Sequence, residues 1–285
     1  MIRFHERKSV TLCLASAFVL LLGISSASSQ ASTSDRIHQG RMLAQKIDER
    51  DIDYQDFRAS LIMTISKKNG SSITRKLIIN LLEVDGDGDK SLIVFDFPAD
   101  IRGTKLLTHS KFRENDDQWL YLPSINRVKR ISTRNKSGAF VGSEFSFEDL
   151  SDKSVDDFDY EHLGEVVCSF TIVDIKTKSK IPMSGQCEKL ARVPHDKHSG
   201  YSKQVLLVDK QAQRILQIDY FDVKGAFLKQ MISKNFSLYE SRYWRPQQIT
   251  MTNQQSGKST VLKYETLSFR NNLKESDFRR SKLSR

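Results

Sequence analysis

Few residue groupings in this 285-residue chain could do chemistry, and each is undercut by its neighbours. Asp85-Gly86-Asp87-Gly88-Asp89 sets carboxylates at alternate positions, as a calcium loop begins. The sixth position is then Lys90 instead of Gly and the twelfth is Asp96 instead of Glu. With strand-like flanks, a Gly-rich hairpin turn is the better account. His195-Asp196-Lys197-His198 offers two imidazoles after Pro194, but a metal centre needs three or four ligands and no further one stands at a recognisable spacing. A solvated loop is expected there. No nucleophile-elbow Ser, metal-ligand string or phosphate-binding Gly loop occurs, so neither an enzyme nor a bound cofactor is expected. Cys168 and Cys187 each lie in a strand-like run. In an oxidising compartment two thiols favour one disulfide, with two separate buried thiols as the alternative.

The informative stretch runs from Phe97 to Leu150. Leu106, Thr108 and Ser110 alternate with Leu107 and His109; Gln118 to Leu122 follows the turn at Glu114 to Asp117; Arg127 to Ile131 follows Pro123-Ser124. Such aromatic and β-branched runs between Asn, Asp, Pro and Gly read as strands and hairpins. The loop from Ser137 to Phe147 then carries Phe140, Phe145 and Phe147, where a solvated connection would need none. It is expected to fold back over a surface or cavity as a lid. Placing Asp at Phe145 and Phe147 would then abolish ligand uptake and leave thermal stability nearly unchanged. Strand parity adds Leu106, Trp119, Tyr121 and Arg130 to the three Phe as expected ligand contacts. Arg130 belongs to a basic cluster read mainly as a solvated rim; sharing parity with Val128, it is alternatively read as pointing to the apolar face, where a lipid head group or Asp149 would offset its desolvation.

The same stretch carries a resemblance. Pro98, Gly103-Thr104, Leu106-Leu107, Trp119-x-Tyr121-x-Pro123, Arg127-Val128-x-Arg130-Ile131 and Gly142-Ser143-x-Phe145-Ser146-Phe147-x-Asp149-Leu150 occur in this order. Tyr201-Ser202-Lys203, Trp244-x-Pro246 and Phe278 follow. The ordered set resembles the outer-membrane lipoprotein-sorting family, relatives of the periplasmic carrier LolA. The resemblance implies a half-open β-barrel with an amino-terminal helix across its mouth and a lid, carrying lipids or lipidated proteins through the periplasm.

The amino terminus agrees with export. Arg3, Arg7 and Lys8 precede an apolar run from Val10 to Gly23, and Ser25-Ser26-Ala27 supplies a small-residue site, so residues 1–27 read as a signal peptide cleaved after Ala27. The apolar run is shorter than the roughly 20 residues a membrane span needs. Residues 28–285 then form one domain. The formal charge of +10 would suit nucleic acid in a cytoplasmic protein. In an exported one it points to anionic lipid or an acidic partner instead.

Around these sites the periodicity sets the elements. Ser34 is read as the cap of a helix from Asp35 to about Glu49, with Ile37, Gly40, Leu43, Ala44 and Ile47 at helical spacing. From Asp53 the period becomes two, and strand patterns recur to Phe269 at meander spacings. The tail is expected to dock through Leu273 and Phe278. The fold class is thus mainly β, a strongly curved antiparallel sheet or half-open barrel of about eleven strands covered by the helix and a short lid. Such a sheet makes a concave apolar trough, where each buried methylene contributes about 0.8 kcal/mol. The expected function is a monomeric, non-catalytic periplasmic carrier of lipid or lipoprotein acyl chains for sorting towards the outer membrane, with an inner-membrane exporter or an outer-membrane acceptor as a further partner. A periplasmic accessory or sensor for an inner-membrane lipid exporter is the alternative.

Overall fold

A single helix begins the described part of the chain. The computed structural model describes residues 32–112 and 114–284, so the expected signal peptide at 1–27 lies outside them. Helix α1 (Thr33–Glu49) starts at Ser32, not Ser34. Ser32 accepts from the Asp35 amide at 3.1 Å and the Asp35 carboxylate accepts from the Ser32 amide at 3.2 Å, a reciprocal capping box. The helix buries Gly40, Leu43 and Ala44. Gly40 is required, because a Cβ there would stand 2.9 Å from the backbone nitrogens of Glu161 and His162.

The period-two segments form thirteen strands: β1 (Asp56–Ser66), β2 (Ser72–Leu82), β3 (Lys90–Phe97), β4 (Lys105–His109), β5 (Asp117–Leu122), β6 (Arg127–Ile131), β7 (Phe158–Val173), β8 (Lys180–Pro194), β9 (Tyr201–Asp209), β10 (Ile215–Asp222), β11 (Phe227–Tyr239), β12 (Tyr243–Asn253) and β13 (Ser259–Phe269). The count exceeds the roughly eleven that the sequence predicts. β7 also begins earlier than its apolar pattern indicates, because the charged residues of Phe158 to Gly164 blur the alternation. Strands β1 to β6 pair in chain order, β7 to β13 do likewise, and antiparallel pairing of β1 with β13 joins the two meanders into one sheet. The second meander curls until Ile172 of β7 meets Phe236 of β11 in a parallel pairing. The result is the strongly curved, half-open barrel that the sequence predicts.

One face of every inner strand builds the core. Ala59, Leu61, Met63 and Ile65 of β1 join Leu77, Ile93, Phe95 and Leu106 on one side and Leu206, Val208, Ile218, Met251 and Leu262 on the other. Each such side chain stabilises the fold by about 1.5–3 kcal/mol. Cys168 and Cys187 form a disulfide between β7 and β8.

The convex face of β4 to β6 is covered as well. Leu107, Trp119, Tyr121 and Val128 pack with Leu273, Phe278 and Leu283 of the carboxyl-terminal tail. The buried Asp56 carboxylate anchors that tail, accepting from the amides of Asn271 at 2.7 Å and Leu273 at 3.2 Å. His109 Nε2 lies 2.8 Å from the Phe278 carbonyl oxygen.

Candidate ligand-binding site

The Phe-rich loop is a plug, not a loose lid. Phe140, Phe145 and Phe147 are 1%, 4% and 8% exposed and belong to the main core, with Phe140 ringed by Phe95 at 5.6 Å and Phe147 at 5.8 Å. A dense polar network pins the loop to the sheet. Lys229 Nζ donates to the Glu144 carbonyl at 2.9 Å and to Asp149 Oδ2 at 2.6 Å, and the pair is about 5% exposed on either side. Tyr201 donates to Asp149 Oδ1 at 2.8 Å, and Gln118 Nε2 donates to the Phe147 carbonyl at 2.9 Å. Glu148 accepts from Ser199 Oγ and the Gly200 amide, both at 2.9 Å, while burial pushes its carboxyl above the usual range. The expectation that Asp at Phe145 and Phe147 would spare stability is therefore overturned: those rings lie in the core, and carboxylates there would have no partner.

Beside the plug a cavity of about 700 Å³ remains. One rung of the sheet borders it: Tyr160, Arg192, Gln204, Tyr220 and Lys229 are successive cross-strand partners on β7 to β11, and Arg192, Gln204 and Tyr220 line the cavity. Direct partners share a face, so this rung is polar where its neighbour, Leu190, Leu206, Ile218 and Met231, is apolar. Arg192 Nε donates to Gln204 Oε1 at 2.7 Å and its guanidinium stacks 4.4 Å from the centre of the Phe158 ring. Burial holds its pKa below the ordinary arginine value. Ile131, Phe158, Ile218 and Met231 give the cavity apolar wall, but Glu148, Asp157, Lys136 and Lys153 line it too. The expected apolar trough is thus lined by more charged groups than its sequence suggests. Burial raises the Asp157 carboxyl, against the opposing hydrogen bond from the Ser154 amide at 2.9 Å.

The seven expected ligand contacts do not converge. Leu106, Phe140, Phe145 and Phe147 gather in the core under the plug. Trp119 and Tyr121 lie on the opposite face beneath the tail. Arg130 keeps the parity of Val128, but that parity leads outward; its side chain is 68% exposed and pairs with Asp117. The buried cation that meets Asp149 is Lys229. The rung residues escaped notice, although Arg192 at the parity of Leu190 within a strand pattern was a readable signal. Around His195 the ring pairs with Asp159 at 3.0 Å, and among the described residues no group of three potential metal ligands comes together. No helix among them is long and apolar enough to cross a membrane.

Comparison with known proteins matches this geometry to solved relatives. A family model described as an uncharacterized protein matches residues 87–285. A domain from Vibrio parahaemolyticus, described as an outer membrane lipoprotein-sorting protein, is 40% identical; the match covers 87% of this chain and 100% of that one, with a TM-score of 0.80. A DUF1329 family protein from Desulfovibrio piger is 30% identical over 87% of this chain and 99% of that one, with a TM-score of 0.77. A LolA superfamily protein from Nitrosomonas europaea shares the fold at 19% identity, covering 85% and 98% with a TM-score of 0.65. No curated protein matches the chain.

Proposed function

The chain belongs to the outer-membrane lipoprotein-sorting family, and we propose that it is a non-catalytic carrier that binds lipid acyl chains or lipidated proteins and sorts them towards the outer membrane. In this reading residues 1–27 direct export and are removed, and residues 28–285 act as one monomeric domain in the periplasm. The observation that carries the reading is the cavity of about 700 Å³ retained on the inner face of a half-open barrel. Its size falls within the roughly 300–1,000 Å³ of small-molecule sites. Carriage needs no reacting group, only a concave wall with apolar floor and a polar rim.

The plug over β1 to β6 favours a second reading. With that half of the interior filled by its own rings, the protein has less room for cargo and suits an accessory or sensor that docks on an inner-membrane lipid exporter. Native mass spectrometry of gently purified protein separates the two. A co-purifying lipid or acylated protein is the expected result; an empty protein that captures an exporter in pull-down replaces the carrier with the accessory.

A further inference from the structure

The polar rung across β7 to β11 holds two cations, and only one has a counter-ion. Lys229 is matched by Asp149, a residue of the plug. Arg192 has a neutral amide and an aromatic face, and no described carboxylate pairs with it. Among the acids around the cavity, Asp116 is held by Lys153 at 2.6 Å, Asp196 by Lys136, Asp156 by Arg41 and Asp149 by Lys229, while Glu148 accepts from Ser199 and Gly200 and Asp157 from the Ser154 amide. Arg192 is half-buried and faces the cavity without a carboxylate or phosphate, and its planar fork suits a two-oxygen anion. On the neighbouring rung Ile218 and Met231 give the same cavity an apolar wall. The charge and the apolar surface are therefore arranged head to tail.

We propose that the cavity takes an anionic amphiphile, with its carboxylate or phosphate seated on Arg192 and its hydrocarbon chain laid over Ile218 and Met231. The proposal rests on the carrier reading and narrows it to a ligand class. Arg192 contributes recognition, and its partner Gln204 holds the guanidinium in the plane of the rung. Lys229 is occupied and takes no part.

Competition against a fluorescent fatty alcohol tests this with the purified protein. Palmitate and hexadecyl phosphate should displace the neutral probe about tenfold better than hexadecanol. Arg192→Met should bring all three to the hexadecanol value, and Arg192→Lys should keep part of the preference. Arg192→Met leaves the buried Gln204 Oε1 without its donor, so some loss of stability is expected, and a single cooperative thermal transition confirms that the variant is folded. Equal displacement by all three ligands overturns the Arg192 site and leaves the carrier standing. Inorganic phosphate competing as well as hexadecyl phosphate assigns a small-anion site and overturns the amphiphile. Failure of every chain, the probe included, to bind overturns both readings.

Discussion

The two halves of the concave face meet the same geometric problem in opposite ways. Over β1 to β6 the curve is filled by the chain itself: Phe140, Phe145 and Phe147 sit against Phe95 and Leu106. Over β7 to β11 the corresponding surface carries the rung from Tyr160 to Lys229, and a cavity stays open. Aromatic rings gain most by covering apolar wall, and filling the space over the rung would take water from the Gln204 amide and the rest of the Arg192 guanidinium, whose one covered face already stacks on Phe158. A hollow persists, then, where the wall is polar enough to make filling it unfavourable. The loop reaches across through polar groups, Glu144, Glu148 and Asp149, and the Asp149 carboxylate is shared by Lys229 and Tyr201.

Three measurements would break or sharpen this contrast. Phe145→Asp combined with Phe147→Asp puts two unpaired charges in the core, and the doubly substituted protein should give no cooperative unfolding transition by circular dichroism. A normal transition would mean that the plug is a detachable lid and that the two halves are alike. Next in size is Lys229→Met, which strands Asp149 beside Tyr201 and should cost about 3–5 kcal/mol in urea unfolding. A loss below about 1 kcal/mol would show that the loop is held by its rings alone. The smallest effect is a pH dependence outside both halves. Burial, opposed by the hydrogen bond from Tyr54, pushes Asp89 up to about 7. A carboxyl raised in the folded state stabilises most when protonated, so that contribution is full below its unfolded value near 4 and is lost as pH rises through 7. Between pH 6 and pH 8 stability should fall by about 1 kcal/mol, and Asp89→Asn should flatten that slope. A wild-type curve already flat over this window would place Asp89 in water.

The elements were legible because turns and alternation are local. The hairpin at Lys67 to Gly70, the turn at Asp85 to Asp89 and the helical stripe of Leu43 and Ala44 can be read within ten residues of themselves. Faces were less legible where both are covered. In β5 and β6, Trp119, Tyr121 and Val128 look inward by their apolarity, yet the side they pack against arrives from Leu273 to Leu283 at the far end of the chain. No parity argument contains that tail. The rung was hidden for a related reason: each of its members is an ordinary polar residue in its own strand, and only the register of five strands brings Arg192 beside Gln204 and Tyr220. The Lys229 and Asp149 pair likewise joins positions 80 apart.

The seam between the first and last strands carries one more consequence. Ser60 and Thr266 hydrogen bond across 206 positions, and the whole edge of β1 from Phe57 to Ser66 waits for β13. Contacts of such long range make folding slow. A polypeptide interrupted before Phe269 would leave an open ribbon edge ready to pair with a neighbour. The local hairpins of β1 to β6 can form earlier, so the seam is the last join of the sheet, completed by residues from the far end of the chain.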